Sequence, residues 1–144
     1  MAELRISSEP NANWEEIRQI QNAVDNWQIA AAGTATPEVI VFLRDEGQRI
    51  VGGALGDLQG GWLRIQSLWV DPALDRLGYA AQLLRAAEAD AQARGARGAY
   101  LETNHARSRP FYEQQGYVVF AAIEDFPPGY YYYMLRKTFG GEAA

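Results

Sequence analysis

The chain has 144 residues, a formal net charge of -5 and 48% hydrophobic residues, including four Trp, eight Tyr and five Phe. This length and apolar content predict one folded domain and argue against a disordered chain. The lack of cysteine excludes disulfides, thiolate metal sites and a Cys nucleophile, and a single His excludes a poly-His zinc site.

The charge and the N-terminus bear on location and partners. Residues 1–5 lack the apolar stretch of a signal peptide, and no segment approaches the ~18 apolar residues that a membrane helix needs. Without a basic stripe, a nucleic-acid partner is not expected. We therefore expect a cytoplasmic protein with no membrane or nucleic-acid partner. An acidic balance suits a cationic substrate such as a polyamine, although acidity also serves solubility alone.

The N-terminal half predicts a strand, a helix and a three-strand meander. Residues 4–7 alternate apolar and polar side chains, as a short strand does. Asn13 is a good N-cap for a helix over residues 14–26, whereas residues 27–37 fit either a second short helix or a loop. Three strands are predicted over residues 39–44, 50–58 and 62–70, joined by polar or Gly-rich turns.

The C-terminal half contains the clearest helix, residues 78–94, with small and apolar side chains at helical spacing and Gly95 after its end. A fifth strand, a short helix and two more strands are predicted over residues 98–103, 107–115, 117–123 and 130–137. This order predicts a single α/β (α+β) domain, residues 1–139, followed by a frayed tail, residues 140–144. Its central sheet would be mixed, mostly antiparallel and seven-stranded, flanked by helices.

Two strands carry aromatic side chains whose faces can be predicted. In the strand over residues 62–70, alternation places Trp69 on the same face as Leu63 and Ile65. In the run of four tyrosines at 130–133, alternation would bury two rings and expose two. The exposed pair, or Trp62 and Trp69, would hold a cation by their π-faces, and ordinary core packing is the alternative.

The first segment with chemical potential is the loop over residues 71–78. A strand leads through this loop into the long helix, and the first turn of a helix offers unpaired N–H groups and a partial positive charge to an anion. Gly78 and Ala80 are small enough for a phosphate to approach the backbone. The loop matches neither GxxxxGK[ST] nor GxGxxG. The alternative is a plain strand–helix turn capped by Asp75.

The second segment spans residues 104–117. Tyr112 lies on the short helix that follows a strand, where a phenol can donate a proton to a leaving group. The alternative is that Phe111 and Tyr112 are core aromatics and that Gly116 merely ends the helix.

Together the two segments resemble the GNAT N-acetyltransferase superfamily, and in particular its small bacterial members. The cofactor loop of that family reads Q/R-x-x-G-x-G/A, and Gly78 and Ala80 match it, with Asp75 at the first position and Arg76 beside it. The second family motif reads N-x-x-A/S-x-x-x-Y-x-x-x-G-F. The matching residues are Ser108, Tyr112, Gly116 and Tyr117, with His105 at the Asn position.

The resemblance implies an acyl-CoA N-acyltransferase fold with acetyl-CoA as cosubstrate and no metal. The backbone of residues 68–70 would pair with the pantetheine arm, the N–H groups of residues 76–81 would hold the pyrophosphate, and the Val70 N–H would face the oxyanion. Tyr112 would protonate the departing thiolate, and Arg76 would be the basic residue of the loop. The residues it assigns to the cofactor are Leu68, Trp69, Val70, Arg76, Leu77, Gly78, Tyr79, Ala80, Ala81, Asn104, Ser108 and Phe111.

The general base stays open between His105, Glu102 and water, and His105 is the first choice because its intrinsic pKa suits neutral pH. The leading hypothesis is an enzyme that transfers an acetyl group to a primary amine of a small molecule or peptide by direct attack. A catalytically weak acyl-CoA-binding or regulatory module and a purely structural domain are the alternatives. Small members of the family often pair, so a homodimer is also expected.

Overall fold

A computed structural model gives the structure of residues 2–33, 36–74 and 77–140, and by internal contacts the chain divides into two compact units, residues 1–36 and 37–144. Helix α1 (Trp14–Ala32) dominates the first unit. The Asn13 side chain accepts from the Glu16 N–H at 2.9 Å, and the Glu16 side chain accepts from the Asn13 N–H at 3.3 Å. This capping box confirms the predicted N-cap, because two orphan donors are satisfied reciprocally.

Two expectations for this unit are wrong. Helix α1 continues through the segment that was ambiguous in sequence, and it ends at Gly33, whose φ of 81° is favourable only for glycine. Residues 4–7 carry no strand among the described residues of the unit. Leu4 is 93% exposed and Ile6 is fully exposed, so neither burial nor pairing stabilises a strand there.

The second unit is built on a mixed sheet, and the predicted fold class is confirmed. Among its described residues the sheet has six strands rather than the seven expected, in the order β1-β2-β3-β4-β6-β5. All neighbouring pairs are antiparallel except β3 with β4, which is parallel. The strands are β1 (Glu38–Arg44), β2 (Ile50–Gln59), β3 (Trp62–Val70), β4 (Gly98–Thr103), β5 (Val118–Glu124) and β6 (Tyr131–Thr138).

Two helices connect the strands, and the longer one covers the core. Helix α2 (Tyr79–Ala93) crosses from β3 to β4, and helix α3 (Ser108–Gln114) leads from β4 to β5. The apolar stripe of α2 packs on the sheet as its spacing predicts. No helix in the described ranges is long and apolar enough to cross a bilayer. The buried hydrophobic residues are Val39, Ala54, Leu63, Ile65, Leu83, Leu84, Ala87, Ala91, Ala96, Ala99, Leu101, Tyr117 and Leu135.

A β-bulge in β3 changes which side chains share a face. Leu55 pairs with Ser67 but Gly56 pairs with Ile65, so Gln66 is an extra residue on β3. The alternation of side chains therefore shifts by one beyond Gln66. Leu68 and Val70 pack against the core, and Trp69 is 52% exposed. The predicted placement of Trp69 on the same face as Leu63 and Ile65 is therefore wrong.

Candidate active site

The site is organised by a gap between two parallel strands. β3 pairs with β4 only where residues 62–64 face residues 98–100, and beyond Arg64 and Tyr100 the two strands diverge. Where this pairing starts, the strands approach so closely that only glycine fits at position 98. A Cβ at Gly98 would overlap the Lys137 carbonyl oxygen and the Trp62 ring. Past the divergence, residues 68–70 pair with β2 on one side only and face the gap on the other.

Helix α2 begins at this gap. Gly78 is its N-cap, with a φ of 83°, a conformation that costs glycine nothing and other residues 1–2 kcal/mol or so. A Cβ at Gly78 would meet no atom within 4 Å, so the backbone in front of the helix is open to a ligand. The N–H groups of the first turn have no partner within the helix and carry the positive end of its dipole.

A cavity of about 320 Å³ lies between the end of β3, the start of α2 and one face of α3. The volume falls in the range of small-molecule sites. Among the described residues, none of the side chains that line it is charged. The lining residues are Val70, Leu74, Gly78, Tyr79, Ala80, Ala81, Phe111, Gln114 and Gln115.

The cavity unites six of the residues predicted to hold the cofactor: Val70, Gly78, Tyr79, Ala80, Ala81 and Phe111. Leu68, Trp69, Leu77 and Ser108 do not line it, and Arg76 and its neighbour Asp75 lie outside the described residues. The prediction missed Gln114, the last residue of α3, and Gln115, its C-cap, which follow Phe111 by three and four positions. That spacing puts all three on one helix face, a signal already present in the sequence.

Tyr112 sits beside the cavity rather than in its lining. Its ring makes edge contacts with the rings of Phe111, at a centroid distance of 5.1 Å, and Tyr117, at 5.8 Å, and it packs against the core. Burial raises the pKa of Tyr112, so its hydroxyl stays protonated at neutral pH. Tyr112 therefore packs against the core and also keeps the proton that a proton donor needs.

His105 is exposed and takes part in the β4–α3 loop. Its Nδ1 accepts from the backbone N–H of Arg107 at 3.2 Å, and the backbone N–H of His105 donates to Thr103 Oγ1 at 3.2 Å. A neutral imidazole with an accepting Nδ1 carries its proton on Nε2. Neither ring nitrogen then has a free lone pair with which to take a proton, which argues against His105 as general base.

A second cavity, of about 450 Å³, lies on the other face of α3, beside the β5–β6 hairpin. Asn104, predicted to contact the cofactor, lines this cavity instead. Arg109 also lines it, with its guanidinium 4.7 Å from the centroid of the Tyr133 ring, and Tyr131 stacks on Tyr133 at 5.7 Å. The Arg109 guanidinium thus already occupies a face of the Tyr133 ring.

The tyrosine run does not alternate as predicted. Tyr130 is 59% and Tyr131 47% exposed, while Tyr132 and Tyr133 are half-buried. The reason is that Tyr130 precedes β6 and belongs to the hairpin turn, where its N–H donates to the Pro127 carbonyl at 2.9 Å. Within β6, Tyr131 and Tyr133 stack on one face and Tyr132 lies on the other, but burial does not alternate because Tyr131 lies at the exposed start of the strand and Tyr133 packs against the core.

The face of the sheet away from α2 carries a polar pair at the gap. Glu102 follows Leu101 of the core on β4 and therefore points to the opposite face. The Tyr132 hydroxyl donates to Glu102 Oε2, and the Phe126 ring lies 4.8 Å from the Tyr132 ring. The hydrogen bond to Glu102 is the main cause of a raised pKa of Tyr132.

Comparison with known proteins identifies the class. The Acetyltransferase (GNAT) family profile matches residues 3–117, and the chain therefore belongs to this family of acyltransferase enzymes. It is 36% identical over 89 residues to blasticidin-S acetyltransferase of Streptomyces morookaense, a match that covers 61% of this chain and 65% of that protein's length.

Two solved structures share the fold. One, described as an acetyltransferase from Agrobacterium tumefaciens, has a TM-score of 0.84 at 26% identity and covers 94% of this chain and 100% of its own. The other is described as a streptothricin acetyltransferase from Bacillus anthracis, in complex with acetyl coenzyme A. It has a TM-score of 0.64 at 19% identity over 72% of this chain and 63% of its own.

Proposed function

We propose that the protein transfers an acetyl group from acetyl-CoA to a primary amine by direct attack on the thioester. The observation that carries this proposal is the cavity at the start of α2, where Val70, Gly78 and Phe111 meet beside the gap between β3 and β4. Family membership supplies the acetyl donor, and the uncharged lining and open backbone at Gly78 fit an anionic cosubstrate.

Each group of residues has a stated role in this proposal. The backbone of residues 68–70 pairs with the pantetheine arm, and the N–H groups of the first turn of α2 hold the pyrophosphate. Leu77, Asn104 and Ser108 stay proposed cofactor contacts although they do not line this cavity, and Arg76 is proposed as the loop's basic residue. Tyr112 is the proposed proton donor to the thiolate, since its hydroxyl stays protonated. The Val70 N–H is the proposed oxyanion donor.

The acceptor is proposed as an amine of a small molecule or a peptide. The name of the Streptomyces morookaense relative makes blasticidin-S one amine to test, beside polyamines and lysine-bearing peptides. The second candidate function is an acyl-CoA-binding module with weak catalysis. Tyr112, which is intact in its motif, favours the enzyme over the module.

Thermal melting with acetyl-CoA, with CoA and ATP as controls, tests the binding step. A ligand at 100 times its Kd adds about 2.7 kcal/mol to the free energy of unfolding, so we expect a clear rise in Tm with acetyl-CoA and none with ATP. Thiol release with each amine then tests turnover. A Tm rise without release from any amine would favour the binding module, and no Tm rise at millimolar acetyl-CoA would contradict both functions.

A further inference from the structure

The only side-chain amine of the chain lies in an ion pair away from the cofactor cavity. Lys137 on β6 is the single lysine among the 144 residues. Its Nζ lies 2.8 Å from Oε1 of Glu88 on α2, and the Tyr117 hydroxyl donates to Oε2 of the same carboxylate at 2.7 Å. None of the three residues lines the cavity at the start of α2, so the proposed acetyl transfer gives them no role.

The three side chains have the arrangement of an assisted nucleophile. In such a site a base lies about 2.6–3.2 Å from the nucleophile, and a third group orients the base. Here the Lys137 amine is the nucleophile, the Glu88 carboxylate is the base, and Tyr117 fixes that carboxylate through its other oxygen. The lysine stem passes over Gly116, where a Cβ would lie 3.5 Å from Lys137 Cε, and packing therefore holds the amine beside Glu88.

A separate cavity of about 370 Å³ opens onto this group. The charged side chains in its lining are Arg85, Glu88 and Lys137, two cations and one anion. The Lys137 side chain is 26% exposed and that of Glu88 only 9%, so the amine is within reach of a solute while its base is shielded from water. Among the described residues Arg85 makes one hydrogen bond, to Gln115 Oε1 at 3.4 Å, and its other N–H groups are available to an anion.

We propose that Lys137 is an acylation site for small activated acyl donors that carry a negative charge, such as an acyl phosphate or an acyl-CoA. Arg85 holds the anionic part of the donor, Glu88 takes the proton of the amine, and Tyr117 is a positioning residue. The observation that carries this proposal is the amine–carboxylate pair in the wall of a cationic cavity. A purely structural ion pair is the alternative, and it predicts the opposite effect of removing Glu88.

The reaction balances without any further reagent. The Lys137 ammonium gives one proton to Glu88, which passes it to water. The neutral nitrogen then forms the C–N bond to the acyl carbonyl, and the C–O bond of an acyl phosphate or the C–S bond of a thioester breaks. The electron pair leaves on oxygen or sulfur, and the leaving group takes up a second nitrogen proton. The products are the amide, phosphate or CoA thiol, and one proton in solvent.

Acylation would act on the fold as well as on the lysine. The amide is neutral, so Glu88 stays in the core with Tyr117 as its remaining donor. Because the ion pair joins α2 to β6, its loss weakens the attachment of the helix whose start lies at the cofactor cavity. We expect the acylated protein to melt about 5 °C below the unmodified protein.

Peptide mass spectrometry after incubation near pH 8 with acetyl phosphate or acetyl-CoA tests the site. An Arg5→Lys protein provides the reference, because Arg5 is exposed and the substitution adds an unassisted amine to the same molecule. Lys137 should be acetylated about tenfold or more faster than this reference amine. Reaction with one donor or with both supports the site and identifies the source of the acyl group. Reaction of Lys137 no faster than the reference amine with either donor overturns it.

Variants in the Arg5→Lys background separate assistance from shielding. If Glu88 is the base, Glu88→Gln should slow acetylation of Lys137 about tenfold relative to the reference amine. If the ion pair only shields the lysine, Glu88→Gln frees the amine, and faster acetylation overturns the proposal. Tyr117→Phe keeps the ring and the carboxylate and should slow the reaction severalfold, which decides the case if Glu88→Gln does not fold.

Two further measurements identify the donor site. Arg85→Gln should slow acetylation of Lys137 by acetyl phosphate but not by acetic anhydride, which is uncharged, and an equal rate with acetyl phosphate overturns the role of Arg85. The rate at Lys137 should also be independent of protein concentration. A rate with acetyl-CoA that rises in proportion to protein concentration would mean that the active site of another copy transfers the acetyl group, and would overturn the assignment to Glu88. Failure of the protein to acetylate any free amine would contradict only the proposed function.

Discussion

The hydroxyl of Tyr117 donates a 2.7 Å hydrogen bond to Glu88, the one charged side chain among the buried residues of the described ranges. Lys137 is the third member of this group, and its Nζ lies 2.8 Å from the other carboxylate oxygen of Glu88. A carboxylate inside the core is tolerated only when its oxygens are satisfied. The three residues come from α2, from the position just before β5 and from β6, so they tie the helix to the β5–β6 edge of the sheet.

Tyr117→Phe should lower the free energy of unfolding by about 1–3 kcal/mol, because one oxygen of Glu88 loses its donor inside the core. Urea denaturation measures this loss. Tyr130→Phe removes a hydroxyl from an exposed ring and should change stability by less than about 0.5 kcal/mol. Equal stability of the Tyr117→Phe protein and wild type would mean that water replaces the hydroxyl.

The same tyrosine makes stability fall at alkaline pH. Burial, followed by the hydrogen bond to Glu88, raises the pKa of Tyr117 far above 10. Above pH 10 the unfolded chain releases this proton and the folded chain keeps it. The contribution of Tyr117 to the free energy of unfolding is therefore complete below pH 10 and declines as pH rises, by up to about 1.4 kcal/mol per pH unit. Urea denaturation between pH 9 and 11 should show a shallower decline for Tyr117→Phe than for wild type, and equal slopes would contradict this.

Gly78→Ala should weaken acetyl-CoA binding, because a Cβ would stand in front of the N–H groups of α2. Gly95→Ala is the matched control. Gly95 also has a positive φ, of 94°, and open space around its Cβ, but it lies at the other end of α2. Both substitutions should cost about 1–2 kcal/mol of stability, and only Gly78→Ala should raise the Kd of acetyl-CoA measured by calorimetry. An unchanged Kd in Gly78→Ala would place the pyrophosphate elsewhere.

Tyr112→Phe should lower kcat about 100-fold with little change in the KM of acetyl-CoA, because the ring keeps its contacts with Phe111 and Tyr117 and only the proton donor is lost. The variant should unfold within about 0.5 kcal/mol of wild type. Thiol release under saturating acetyl-CoA measures the effect. Wild-type kcat in this variant would leave Tyr112 as a core aromatic.

Arg76→Ala tests the basic residue of the cofactor loop, which the sequence alone assigns. Removing its guanidinium should raise the Kd of acetyl-CoA about tenfold or more, since charge-assisted hydrogen bonds to phosphate are among the stronger polar contacts. Arg49→Ala, which removes an exposed guanidinium from the β1–β2 turn, serves as control. Equal affinity of Arg76→Ala and wild type would remove Arg76 from the site.

The sequence by itself determined the order of elements after residue 37, the apolar stripe of α2 and the turns at Gly78 and Gly116, because spacing and backbone preference act over a few residues. Six of the residues that the sequence predicts for the cofactor line one cavity, because they lie in two short segments whose local structure was predicted. Only the tertiary structure decided on which face of the sheet a side chain lies and which residues it contacts. The extra residue at Gln66 turns Trp69 outward, and its position depends on the register with β2. Tyr132 meets Glu102 only because β6 inserts beside β4, a pairing across 30 residues that no local pattern encodes.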